Sequence, residues 1–177
     1  MKVTFLTTAE KYFRFDEFRR EIIDFDGEVK NVVIPAYING IVVTSIGPEA
    51  FWNKGLEMVV LPPTLLVIGF YAFAFNQIKE VYIPENVALI EEGAFAFNRL
   101  EKVRFGENLF SIPHAAFHHN NLSEVTFIHR YAFRLGTEKM ANLNVTGMEA
   151  KNLRALLVHH AKSVDDYKKL SALYRSE

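Results

Sequence analysis

The sequence predicts an α/β repeat solenoid, with short parallel strands stacked along one concave face, a hairpin-like β cap before the array and a helical cap after it. Three observations carry this expectation. Ala-Phe pairs recur at Ala50-Phe51, Ala72-Phe73, Ala94-Phe95, Ala116-Phe117 and Ala132-Phe133, at spacings of 22, 22, 22 and 16 residues. A fixed period in the twenties is the signature of a solenoid. Other apolar columns keep the same register, and the residues on both flanks break from the pattern as caps would.

The columns explain one another. Ile46, Ile68, Ile90 and Ile112 precede the Ala, while Leu56, Ile78, Leu100 and Leu122 follow it. Val59, Val81, Val103 and Val125 come next, then Leu61, Ile83, Phe105 and Phe127. A coil of this size cannot enclose a core alone, so each apolar residue must stack on its counterparts above and below. The segment Ile78 to Ile83 and its equivalents carry β-branched residues with partial alternation, which reads as a short strand in a parallel ladder. Phe51, Phe73, Phe95, Phe117 and Phe133 then form an aromatic spine, with the small Ala before each allowing close packing.

Asn76, Asn98 and Asn120 recur four residues after the Ala, with Lys54 in that place in the first coil. A bend leaves backbone groups that no strand satisfies, and an asparagine amide offers both donor and acceptor. The expectation is an inward asparagine ladder with a structural role.

The unit AFAFNQIKEVYIPENVALIEEG, with Pro84, Val87 and Ile90 in place, resembles the BspA-type leucine-rich repeat, which reads roughly AFxxNxLxxVxxPxxVxxIGxx. The resemblance covers about residues 32–133, and Val32 to Gly47 is similar to the family's entry segment, where Asn39-Gly40 fits a tight turn. Two departures stand out: Gly106 replaces the proline of Pro62 and Pro84, and the last unit is six residues short. The resemblance implies a leucine-rich-repeat solenoid that binds proteins, in a family made up chiefly of bacterial surface or secreted adhesion and interaction proteins, with members in some parasitic protists.

The organisation expected is one compact domain: an N-terminal cap over 1–31, repeats over 32–135, and a linker with a helical cap over 136–177. Alternation around Phe13 to Gly27 suggests a strand pair, although Thr7-x-x-Glu10 is also a helix-start pattern. Gly136 to Gly147 reads as an irregular polar link, with Asn144-Val145-Thr146 a chance match to a glycosylation sequon. Thr146-x-x-Glu149 and Ser163-x-x-Asp166 then read as capping boxes opening two helices.

Composition narrows the function. The chain has 177 residues, no cysteine and a net charge of −1, so disulfides, thiolate metal sites and cysteine nucleophiles are excluded, and no basic excess points to nucleic acid. Charge is uneven along the chain, at −4 for residues 46–127 and +4 for residues 128–177. No stretch approaches the ~20 apolar residues of a membrane span, and the first residues lack the apolar run of a signal peptide. A cytoplasmic protein follows if Met1 is the native start, and a fragment of a surface or secreted protein otherwise.

No serine-histidine-aspartate order, phosphate-cradling glycine loop or dinucleotide fingerprint is present. His114, His118, His119 and His129 gather near the last coils, so a metal-dependent enzyme is the competing reading. It is disfavoured because adjacent histidines on a bend point apart and other ligand types nearby are few. The expectation is therefore no enzyme, no cofactor and no metal.

Binding is expected on the strand face, through Met58, Val60, Lys79, Glu80, Tyr82, Glu101, Lys102, Arg104, Glu124 and Thr126. These are the positions that differ between otherwise repeated units, and Tyr and Arg are enriched at binding hot spots. The partner expected is an unidentified protein, bound by a monomer or weak homo-oligomer. The charge asymmetry also admits head-to-tail self-association. An intracellular inhibitor or immunity-type binder and a surface-adhesin fragment both fit this reading.

Overall fold

The structure is a computed structural model that describes residues 7–106, 108–109, 112–113, 115–127 and 144–146. The expected helical cap therefore lies outside the described residues, as do Phe133, His114 and His129. Among the described residues the helical element is a single 3-10 turn, Glu10–Tyr12, standing where Thr7-x-x-Glu10 suggested a helix start.

The β cap is present as expected. Strands β1 (Phe13–Asp16) and β2 (Glu21–Phe25) form an antiparallel hairpin with a bulge between Arg14 and Phe15. Asp16 Oδ1 closes its tip by accepting from the backbone N–H groups of Phe18 at 3.0 Å and Arg19 at 2.9 Å. Next come β3 (Asn31–Val33) and the pair β4 (Tyr37–Ile38) and β5 (Ile41–Val42). Asn39 and Gly40 join β4 to β5 with φ of 50° and 75°, the two left-handed residues that a tight hairpin turn requires.

Each later coil contributes a strand to one or both of two ladders. The first ladder runs β1-β2-β6-β8-β10, with β6 (Ser45–Ile46), β8 (Val67–Ile68) and β10 (Leu89–Ile90) parallel to β2. The second holds β7 (Met58–Val60), β9 (Glu80–Ile83), β11 (Lys102–Phe105), β12 (Glu124–Phe127) and β13 (Asn144–Thr146). It is divided: β7 pairs with β3, and β9, β11, β12 and β13 form a separate parallel sheet. Asn144–Thr146, expected within an irregular link, is thus a strand in register with Glu124 to Thr126. The open edge of β12 needs hydrogen-bond partners, and Val145 and Thr146 favour a strand.

A third column of bonds links the coils at the Ala-Phe turn. The backbone N–H groups of Phe51, Phe73 and Phe95 donate to the carbonyls of Ala72, Ala94 and Ala116, each at 2.8 Å. This turn is flanked on both sides by left-handed residues. Glu49, Tyr71, Gly93 and Ala115 have φ between 51° and 67°, and Asn53, Phe75, Phe97 and His119 have φ between 52° and 59°. Such backbone costs an L-residue roughly 1–2 kcal/mol, which the packing of neighbouring coils must offset.

The core is the expected spine, extended by two rings from the cap. Phe25 to Phe51, Phe51 to Phe73, Phe73 to Phe95 and Phe95 to Phe117 lie 5.2, 4.8, 5.1 and 5.4 Å apart between centroids. Phe13 meets Phe25 at 5.2 Å. Five of these rings, Phe25, Phe51, Phe73, Phe95 and Phe117, are fully buried, and each stacked pair contributes about 0.5–1.5 kcal/mol beyond area burial.

The asparagines form the inward ladder expected of them. Asn76, Asn98 and Asn120 accept through Oδ1 from the N–H groups of Leu56, Ile78 and Leu100 in the preceding coil, at 3.0, 3.1 and 2.8 Å. Through Nδ2 they donate to Phe51 O, Phe73 O and Phe95 O of that same coil, at 2.8, 2.8 and 2.9 Å. One amide thus joins two coils by a donor and an acceptor together. Gly106 is also explained: a Cβ there would lie 2.4 Å from Glu85 Cα, so no side chain fits where the coils approach.

The N-terminal end is closed by short-range bonds. Thr8 N–H donates to Val33 O at 2.9 Å, and Val33 N–H donates to the Thr8 hydroxyl at 3.0 Å, covering the outer edge of β3.

Candidate protein-binding face

Alternation along the second ladder decides which side chains reach solvent. Val81 and Ile83 of β9, and Val103 and Phe105 of β11, point into the core, while Glu80, Tyr82, Lys102 and Arg104 are exposed. Register then aligns the exposed residues in two rows, with Lys102 opposite Glu80 and Glu124, and Arg104 opposite Tyr82 and Thr126. Met58 and Val60 of β7 stand half-buried at the head of these rows.

The rows border a groove of about 390 Å³, lined by Met58, Val60, Glu80, Tyr82, Lys102, Arg104, Glu124 and Thr126, with Val59, Val81 and Val103 in its floor. It crosses the division between β7 and β9, so both sheets of the second ladder line it. Lys79 and Glu101, expected on the same face, do not line it. They stand just before β9 and β11, where their carbonyls accept from Glu101 and Lys102, and from Ser123 and Glu124. The strands begin two residues later than the Ile78 and Leu100 columns suggest.

Two contacts within the rows set the groove's chemistry. Lys102 Nζ lies 3.3 Å from Glu124 Oε2, an exposed pair of small energetic value. The Arg104 guanidinium lies 5.5 Å from the centroid of the Tyr82 ring. Just before β3 and β7, Lys30 Nζ lies 2.7 Å from Glu57 Oε1. The hydrogen bond from Lys30 and its charge hold the Glu57 carboxyl below the ordinary value, with smaller contributions from Lys79 and Arg99.

A second exposed row follows the Ala-Phe turn and was not singled out from the sequence. Phe75 stacks on Phe97 at 4.4 Å, Phe97 on His119 at 4.5 Å, and Trp52 meets Phe75 edge-on at 5.8 Å. The available signal was the second Phe of AFAFN, repeated at 75 and 97.

His118 and His119 have ring centroids 4.0 Å apart. Among the described residues, no three of His, Asp and Glu come together as a group able to hold a metal ion. No helix among them is long and apolar enough to cross a membrane.

Comparison with known proteins agrees with the geometry. The sequence matches the family model "BspA type Leucine rich repeat region" in six copies over residues 27–149. Among solved structures, the pneumococcal vaccine antigen PcpA superposes with a TM-score of 0.54 at 18% identity, covering 74% of this chain and 40% of the antigen. A leucine-rich-repeat protein of T. pallidum, TpLRR, gives a TM-score of 0.43 at 21% identity, covering 68% of this chain and 71% of that one. The chain therefore spans well under half the length of the antigen it resembles. No curated protein matches the sequence. The repeat columns, the stacked parallel ladders and the match across residues 27–149 place this chain in the BspA-type leucine-rich-repeat family.

Proposed function

We propose that the protein is a non-catalytic binding module that takes a protein partner across the strand-face groove. The observation that carries this reading is the groove itself. The outward-facing positions that differ from coil to coil, Val60, Tyr82, Arg104 and Thr126, line one cavity beside Met58, above a floor of valines. A repeated scaffold that varies at one lined face suits recognition, and Tyr and Arg are the residue types that carry binding energy most often.

Size limits how the partner binds. Strands at ~4.8 Å spacing give a face of roughly 500 Å², whereas a standard complex takes about 800 Å² from each side. A stable complex therefore extends past the groove, onto a neighbouring edge or the basic residues 128–177. Both an intracellular inhibitor or immunity-type binder and a surface adhesin work in this way.

The test is affinity capture from the native cell with the wild-type chain and with Tyr82→Ala/Arg104→Ala. Loss of one specific protein from the captured set supports the groove. An unchanged set contradicts it.

A further inference from the structure

The two cations of the groove are in different states. Lys102 is matched by Glu124 at 3.3 Å, whereas Arg104, among the described residues, makes no ion pair. The Arg104 guanidinium lies near the Tyr82 ring, which supports it without using its N–H donors. An exposed guanidinium held against an aromatic ring is prepared for a planar acceptor, and a carboxylate is the acceptor that its paired N–H groups fit. Beyond Tyr82 in the same row stands apolar Val60, with Met58 two residues earlier on the same strand. In the other row Glu80 is exposed and repels a second acid.

Resting on the groove reading above, we propose that the partner enters as a segment with one carboxylate on Arg104 and a bulky apolar side chain against Tyr82, Val60 and Met58. The site selects an acid beside an apolar residue and discriminates against runs of acids. Complementarity to the unmatched charge of Arg104 distinguishes this occupant from a basic or purely apolar segment.

The probe is a phage-displayed random peptide library, panned on the full chain at about 0.15 M salt. Enriched peptides are expected to carry one Asp or Glu next to Leu, Met, Phe or Tyr. Binding of a synthetic winner should weaken about tenfold on Arg104→Gln, and by a similar factor when its acid becomes the amide. The two changes together should weaken it little more than either alone, while Lys102→Gln should change it less than about threefold. Circular dichroism of the Arg104→Gln chain confirms that this exposed substitution leaves the fold intact. Winners without an acid, or indifferent to Arg104→Gln, overturn the inference; if Val60→Arg still abolishes their binding, the groove reading survives. Winners that also tolerate Val60→Arg overturn both. Absence of any enriched peptide overturns the inference as well.

Discussion

Lys54 Nζ lies 3.0 Å from Asp24 Oδ1, at the position where Asn76, Asn98 and Asn120 join later coils to their predecessors. The first coil follows the hairpin of the cap, so the acceptor before it is a side chain on β2 rather than a turn carbonyl. A longer, charged donor reaches it. Burial raises the Asp24 carboxyl, but hydrogen bonds from Lys54, the Phe25 N–H and Arg14, with the Lys54 charge, outweigh that and hold its pKa below the ordinary value. A depressed pKa contributes stability above the unfolded value that is lost as pH falls through the folded one. The difference in melting temperature between wild type and Asp24→Asn should therefore be largest near neutral pH and shrink below about pH 4. A difference independent of pH would show that the pair does not join cap to array.

The asparagine ladder makes a sharper demand. Asn98→Ala leaves the interior Ile78 N–H without its acceptor, which costs about 1–3 kcal/mol, while Phe73 O keeps the bond from Asn76 Nδ2. Denaturant unfolding should show a loss of roughly 1–3 kcal/mol. Asn98→Asp should be worse at neutral pH, because a carboxylate would face the carbonyls of Phe73, Phe95 and Ala96, and should recover partly on acidification as the carboxyl gains a proton. Equal stability of the two variants at every pH would contradict the bonding described.

Phe95 stands between Phe73 and Phe117 with no exposed surface. Phe95→Ala should destabilise by about 3–5 kcal/mol, followed by the fluorescence of Trp52, the single tryptophan. Phe97, half-buried in the second row, should cost less on the same change. Comparable losses would place the spine wrongly.

The left-handed column at Glu49, Tyr71, Gly93 and Ala115 gives a pair of opposite expectations. Ala115→Gly relieves a φ of 60° and should stabilise by about 0.5–1 kcal/mol. Gly93→Ala imposes the same strain and brings a Cβ to 2.6 Å from the Tyr71 ring, so it should destabilise. Thermal melts of the two chains read this directly, and shifts of the same sign would refute the backbone assignment.

The sequence made legible whatever each coil repeats with the same residue: the Ala-Phe turn, the asparagine bend and the inward valines. What different residues accomplish in the same place stayed hidden. The left-handed columns hold Glu, Tyr, Gly and Ala, or Asn, Phe, Phe and His, so no composition marks them. Gly106 looked like a lost proline, yet it records a close backbone approach that only the stacked coils create. The pairing of Asp24 with Lys54 spans cap and array and has no local signal. On the candidate face, alternation identified Tyr82 and Arg104 correctly as outward, but the start of β9 at Glu80 and of β11 at Lys102 left Lys79 and Glu101 outside the groove.

The groove is tested most directly by methyl NMR of the chain titrated with the protein that wild type captures and Tyr82→Ala/Arg104→Ala does not. The methyl signals of Met58 and Val60, half-buried at the groove's apolar end, should shift, and those of the exposed Leu66, just before β8, and Leu89, on β10, should not. Shifts at Leu66 and Leu89 with Met58 and Val60 unmoved would contradict binding across the strand face.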